Sequence, residues 1–91
     1  MNTNSSNPLV TVLITTYNCQ STILSTLISI SNQTFKDFEI VIIDDGSTDQ
    51  TYKLIDDFKK NISHINFIPC AHRGRYYSLS YGIEKSLGKF I

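Results

Sequence analysis

Apolar residues fall along this chain in two rhythms: short unbroken runs, and stripes that recur every three or four positions. The densest run is residues 38–43 (FEIVII), β-branched or aromatic at nearly every position. Apolarity without alternation predicts a strand covered on both faces, as in a parallel sheet flanked by helices. Asp44 and Asp45 end the run, and Gly46 permits a sharp exit. Ser47 and Gln50 then have capping-box spacing, which predicts a helix opening there. Strand end, paired carboxylates and helix N-terminus converge at the edge where open parallel sheets bind ligands.

The rest of the pattern builds outward from that run. Residues 1–8 (MNTNSSNP) are small and polar and read as a disordered leader. Residues 9–16 (LVTVLITT) form a first strand, with Asn18 placed to cap the first helix. Ile23, Leu24, Leu27, Ile28 and Ile30 recur at helical spacing and predict that helix over residues 20–32. Its other face is serine and threonine, weak helix formers, so packing must hold it. After Ser47, the stripe Leu54, Ile55 and Phe58 predicts a second helix, with Lys53, Asp56, Asp57, Lys59 and Lys60 toward water. Residues 65–70 (INFIPC) read as a third strand, which Pro69 confines to an edge or ends. A basic glycine loop, residues 71–75 (AHRGR), leads into a third helix striped by Tyr76, Leu79, Ile83 and Leu87. Gly88 stands at its C-cap, and residues 89–91 read as the first step of a fourth strand. The order βαβαβα(β) with right-handed crossovers predicts one α/β domain over residues 9–91. Its form is a parallel sheet sandwiched between helices in three α/β/α layers.

Composition narrows the class. Ninety-one residues allow one small domain, and 41 % hydrophobic residues supply a core for it. Eight basic and eight acidic residues cancel, which argues against a nucleic-acid binder or a polybasic membrane anchor. No apolar run is long enough to span a membrane, and the first lacks the basic flank of a signal peptide. Cys19 and Cys70 fit no metal or redox spacing and read as two reduced thiols of a cytoplasmic protein.

Three places carry candidate chemistry. Adjacent strand residues point to opposite faces, so Asp44 and Asp45 cannot act side by side. One turns inward to hydrogen-bond backbone while the other accepts an N–H from a bound base; alternatively, both cap the turn. A phosphoryl-transfer Asp-x-Asp would need a carboxylate at Gly46, and a calcium loop beginning at Asp45 meets Gln50 where it requires glycine. Tyr17, just after Thr15-Thr16, offers a ring on which a planar base could stack, or else covers the core. His72-Arg73-Gly74-Arg75 sets a guanidinium on each side of a glycine, which suits a diphosphate or is a solvated loop. His64 is given no role.

Together these stretches resemble one family. VTVLITTYN at residues 10–18, SNQTFKDFEIVIIDDGSTDQT at 31–51 and RGRYYSLSYGIEKSLGKFI at 73–91 are similar to the family 2 glycosyltransferases. The resemblance implies part of a GT-A fold, with a Rossmann-like nucleotide-sugar-binding sheet, and transfer of a sugar, with inversion, from a nucleoside diphosphate donor to an acceptor hydroxyl. It implies that Thr15 and Tyr17 line the base, Tyr17 by stacking, and that Asp45 hydrogen-bonds the base. Asp44 falls in the same nucleotide-sugar-binding set, and Arg75 lies where the family places a base- or phosphate-contacting basic residue. The base is usually uracil, so a UDP-sugar is the expected donor. Two positions depart from the pattern: relatives often have Asn-x-Gly at His72-Arg73-Gly74, and asparagine at Ser80. The family's metal-binding Asp-x-Asp comes after a segment that here is Gly88-Lys89-Phe90-Ile91. The Mg or Mn ion expected of the whole enzyme therefore has no ligands in this chain, and the catalytic base is missing too. The chain is expected to be an N-terminal part, inactive alone; the competing reading is a non-catalytic nucleotide-binding module. In the family fold a fourth strand flanks the first, so an unpaired edge at residues 9–16 predicts self-association.

Overall fold

A computed structural model describes residues 8–32, 37–62, 64–86 and 88. The unbroken apolar run becomes the middle strand of a parallel sheet. Among the described residues six elements alternate: β1 (Val10–Thr16), α1 (Ile23–Ser31), β2 (Phe38–Asp45), α2 (Thr51–Lys59), β3 (Ile65–Cys70) and α3 (Arg75–Lys85). The strand order is β1-β2-β3, with Thr16 opposite Asp44 and Cys70 opposite Asp45. Pro69 thus sits on an edge strand, where its missing N–H costs no ladder bond. The expected leader and fourth strand fall mainly on residues 1–7 and 89–91, outside the described ones. No helix among the described residues is long and apolar enough to cross a membrane.

Side-chain alternation in β2 builds both halves of the core. Phe38, Ile40 and Ile42 pack with Ile23 and Leu27 of α1 and Ile55 of α2, flanked by Val10, Val12 and Ile14 of β1. On the opposite face, Val41 and Ile43 are fully buried, and α3 lies over Leu13 and Ile43 through Gly82. The result is the three-layer α/β/α arrangement, and β2 is buried on both faces.

The helices depart from their sequence pattern in instructive ways. In α1 only Ile23 and Leu27 are buried, while Leu24 and Ile28 remain over 40 % exposed. Nine residues against a three-stranded sheet bring a narrower stripe inward than the apolar pattern offers. The helix also begins at Ile23 rather than residue 20, and Asn18 does not cap it. Asn18 adopts a left-handed conformation at φ 49°, and its side chain accepts N–H bonds from Thr48 and Asp49 instead. Likewise α2 begins at Thr51, because Ser47 is engaged with Asp44 and no capping box forms. Asp49 Oδ1 receives the Thr51 N–H in its place. In α3, Tyr76 is 84 % and Ile83 54 % exposed; Ser78 and Gly82, one turn apart, are the buried positions. Small residues there let the helix backbone approach the sheet more closely than the apolar stripe would allow. Leu87 lies outside the described residues. Gly88 is not the C-cap, which is Ser86 in extended conformation; the Gly88 N–H donates to Thr11 Oγ1 at the β1 edge.

Candidate nucleotide-binding site

The two aspartates separate as strand alternation requires, and each acquires a distinct set of partners. Asp44, 2 % exposed, accepts hydrogen bonds from the Thr16 hydroxyl at 2.6 Å and from the Ser47 hydroxyl and N–H at 2.6 and 3.0 Å. It ties the end of β1 to the turn after β2. Asp45, 3 % exposed, faces the loop before α3 and accepts the N–H groups of Arg73 at 2.7 Å and Gly74 at 3.0 Å. His72 Nδ1 stands 2.8 Å from Asp45 Oδ2 and 3.1 Å from the Asp45 carbonyl oxygen. Both neighbours are acceptors, so Nδ1 carries a proton.

Gly46 makes this closeness possible. Its φ of 74° is strained for any residue with a Cβ, and a Cβ there would lie 2.7 Å from the His72 backbone nitrogen. Residues 71–74 therefore pass directly over the end of β2. The β1–α1 and β2–α2 loops are laced in turn by Asn18 N–H to Ser47 Oγ, Cys19 N–H to Thr51 Oγ1 and Gln50 N–H to Gln20 Oε1.

Between these loops lies a cleft of about 380 Å³, lined by Thr15, Thr16, Tyr17, Asp45, His72 and Arg75. Of the residues singled out from sequence, Thr15, Tyr17, Asp45 and Arg75 are brought together here. Asp44 lies outside the lining, its oxygens engaged by Thr16 and Ser47. Arg73 turns away, its guanidinium over the Tyr77 ring at 5.1 Å, leaving Arg75 as the guanidinium on the cleft. Sequence reasoning named His72 only as part of a basic loop. In the structure its ring stacks on Tyr17, with centroids 4.4 Å apart and planes 22° from parallel. The placement follows from strand register, with Cys70 opposite Asp45 and the loop after it passing over that carboxylate, and no sequence signal marked it.

Electrostatics track the hydrogen bonds. Burial pushes the Asp45 carboxyl up, but the Arg73 and Gly74 N–H donors and the His72 ring outweigh it and hold Asp45 below its ordinary value. Asp49 behaves alike: burial raises it, and bonds from Thr51 and Gln20 bring it lower. Burial and the Asp45 charge push the Cys70 thiol up, so it is no ready nucleophile at neutral pH. A carboxylate whose folded value is depressed adds stability above its unfolded value of 3.8, and loses it as pH falls through the folded one. The urea midpoint is therefore expected to drop as pH falls below about 4. In Asp49→Asn that acid limb should flatten; a limb as steep as wild type contradicts the assignment.

Comparison with known proteins decides the kinship. A model of glycosyl transferase family 2 matches residues 11–91. The chain belongs to glycosyl transferase family 2. It is 39 % identical over 67 residues to chondroitin synthase of Escherichia coli, a match covering 74 % of this chain and 10 % of that protein. Among solved structures, the 1–349 portion of S. aureus TarS in complex with UDP superposes with a TM-score of 0.81 at 26 % identity, over 91 % of this chain and 26 % of that one. The mannosyltransferase PcManGT from Pyrobaculum calidifontis, in complex with GDP-Man and Mn2+, gives 0.73 at 25 %, over 88 % of this chain and 25 % of that one. The chain thus spans about a quarter or less of the length of these relatives.

The Mn2+ of that neighbour raises the question of whether this family 2 chain could hold a divalent ion. Among the described residues no three histidine, cysteine or carboxylate groups gather as a metal site. Asp44 and Asp45 lie on opposite faces with their oxygens occupied by hydroxyl and N–H donors. The described residues do not fit a divalent cation.

Proposed function

We propose that this chain is the donor-binding part of an inverting glycosyltransferase that moves a sugar from a UDP-sugar to an acceptor hydroxyl. The observation that carries the reading is the cleft at the carboxyl ends of β1 and β2, where Tyr17, Thr15, Asp45 and Arg75 converge. Each supplies what one part of a nucleoside diphosphate needs. Tyr17, half exposed, offers a ring face to a planar base. Asp45 supplies a buried charged acceptor for a base N–H, and Arg75 a guanidinium for the diphosphate. A UDP complex of a structural neighbour supports uridine as the nucleoside, and the name chondroitin synthase supports glycan assembly as the use. The acceptor site, the catalytic base and any divalent ion's ligands are assigned to residues of the whole enzyme other than those described here.

Titrating UDP into the protein by calorimetry tests the reading. Stacking on an aromatic ring is worth roughly 1–3 kcal/mol per base. Tyr17→Ala is expected to weaken UDP about tenfold or more while leaving inorganic pyrophosphate unchanged. Equal affinity of wild type and variant for UDP would remove Tyr17 from the site.

A further inference from the structure

We propose that His72 is an internal occupant of the base site, so that a nucleotide binds by displacing its imidazole from Tyr17 and Asp45. The inference rests on the donor-site reading above and concerns what fills that site beforehand. Two groups would receive a uracil: the Tyr17 ring face and a lone pair of the Asp45 carboxylate. One side chain takes both. The His72 ring lies on Tyr17 with centroids 4.4 Å apart, which leaves no room for a second aromatic plane between them. The same ring directs Nδ1–H to Asp45 Oδ2 at 2.8 Å. An imidazole that is flat, stacked and donating an N–H to this carboxylate presents the chemistry of a pyrimidine edge and face.

The side chain is free to leave. It is 58 % exposed, whereas the Asp45 side chain beneath it is only 5 % exposed. The loop does not depend on it, because Asp45 grips residues 73 and 74 through their backbone N–H groups. The imidazole can therefore swing outward while residues 71–74 stay in place. His72 then sets the apparent affinity through the fraction of molecules whose Tyr17 face is open. A pair of this kind favours the closed form severalfold, and affinity falls by the same factor.

The test compares wild type, His72→Ala and His72→Asn with three probes: UDP, uridine and inorganic pyrophosphate. Removing the ring is expected to tighten UDP and uridine by roughly three- to tenfold and leave pyrophosphate unchanged. His72→Asn, which keeps an N–H donor without a ring to stack, should tighten them less. In wild type, the His72 ring protons lie in the shielding zone of Tyr17 and should move downfield on saturation with UDP. That measurement needs no variant and stands if a substitution disturbs the fold. UDP affinity that is unchanged or weakened in His72→Ala, or tightened equally for pyrophosphate, overturns the proposal; so do His72 resonances that stay in place when UDP binds. Absence of UDP binding in all three proteins overturns the donor-site reading itself and this proposal with it.

Discussion

Asp45→Asn is expected to lower UDP affinity by roughly one to two decades, the cost of losing a hydrogen bond to a charged acceptor. The substitution preserves shape, so the loss would come from charge and acceptor capacity. Its effect reaches further than the ligand. Asp45 accepts N–H bonds from both Arg73 and Gly74, one on each oxygen. An asparagine offers one oxygen and must turn its amide toward the other N–H, which leaves one donor unsatisfied. Calorimetry should therefore be accompanied by amide exchange. The Arg73 or Gly74 amide should exchange faster in Asp45→Asn, while amides in the middle of β2 keep their protection. A variant that binds UDP as wild type does would exclude Asp45 from the site.

Asp44→Ala is expected to separate the two neighbours cleanly. Asp44 receives the Thr16 hydroxyl and both donors of Ser47 in a setting 2 % exposed. Each buried donor stripped of its acceptor costs about 1–3 kcal/mol. Only the Thr16 donor is fully buried and water can reach those of Ser47, so the total should be about 2–4 kcal/mol, and a domain of this size loses about 4–8 °C of Tm for each kcal/mol. Thermal unfolding should show that drop. Because Asp44 does not line the cleft, UDP affinity measured well below Tm should change much less than in Asp45→Asn. If Asp44→Ala instead unfolds like wild type and loses UDP, the roles of the pair are reversed.

These contrasting roles were half legible in the sequence. The unbroken apolar run marked β2 as a strand buried on both faces, and a period of two sends adjacent carboxylates apart. Nothing in the run says which carboxylate meets which loop, because that depends on register with β1 and β3. The helix starts were obscured for a related reason. Asn18 and Ser47 are polar side chains suited to helix starts, and local spacing assigns each to the helix that follows it. In the fold they serve the neighbouring loop about thirty residues away, a separation that local rules do not see. In α3 the apolar stripe misled because close packing selected the smallest residues, Ser78 and Gly82, rather than the most apolar. The stacking of His72 on Tyr17 joins residues 55 positions apart in a loop without periodicity, so no pattern could announce it.

The lacing of the first two loops and the tethering of the third impose different rules of inheritance. The side chains of Asn18, Gln20, Ser47, Asp49 and Thr51 accept main-chain N–H groups across the gap, so a change in one takes the partner from a donor in the other loop. No substitution at the partner position restores such a bond, because the donor is main chain. The third loop is held by main-chain N–H groups on a single carboxylate. Any side chain at position 72, and any but proline at 73, leaves those N–H bonds available, provided Asp45 stays. Lineages are thereby free to rewrite this wall of the cleft one residue at a time. The imidazole at position 72 is therefore replaceable without releasing the N–H groups that hold the loop.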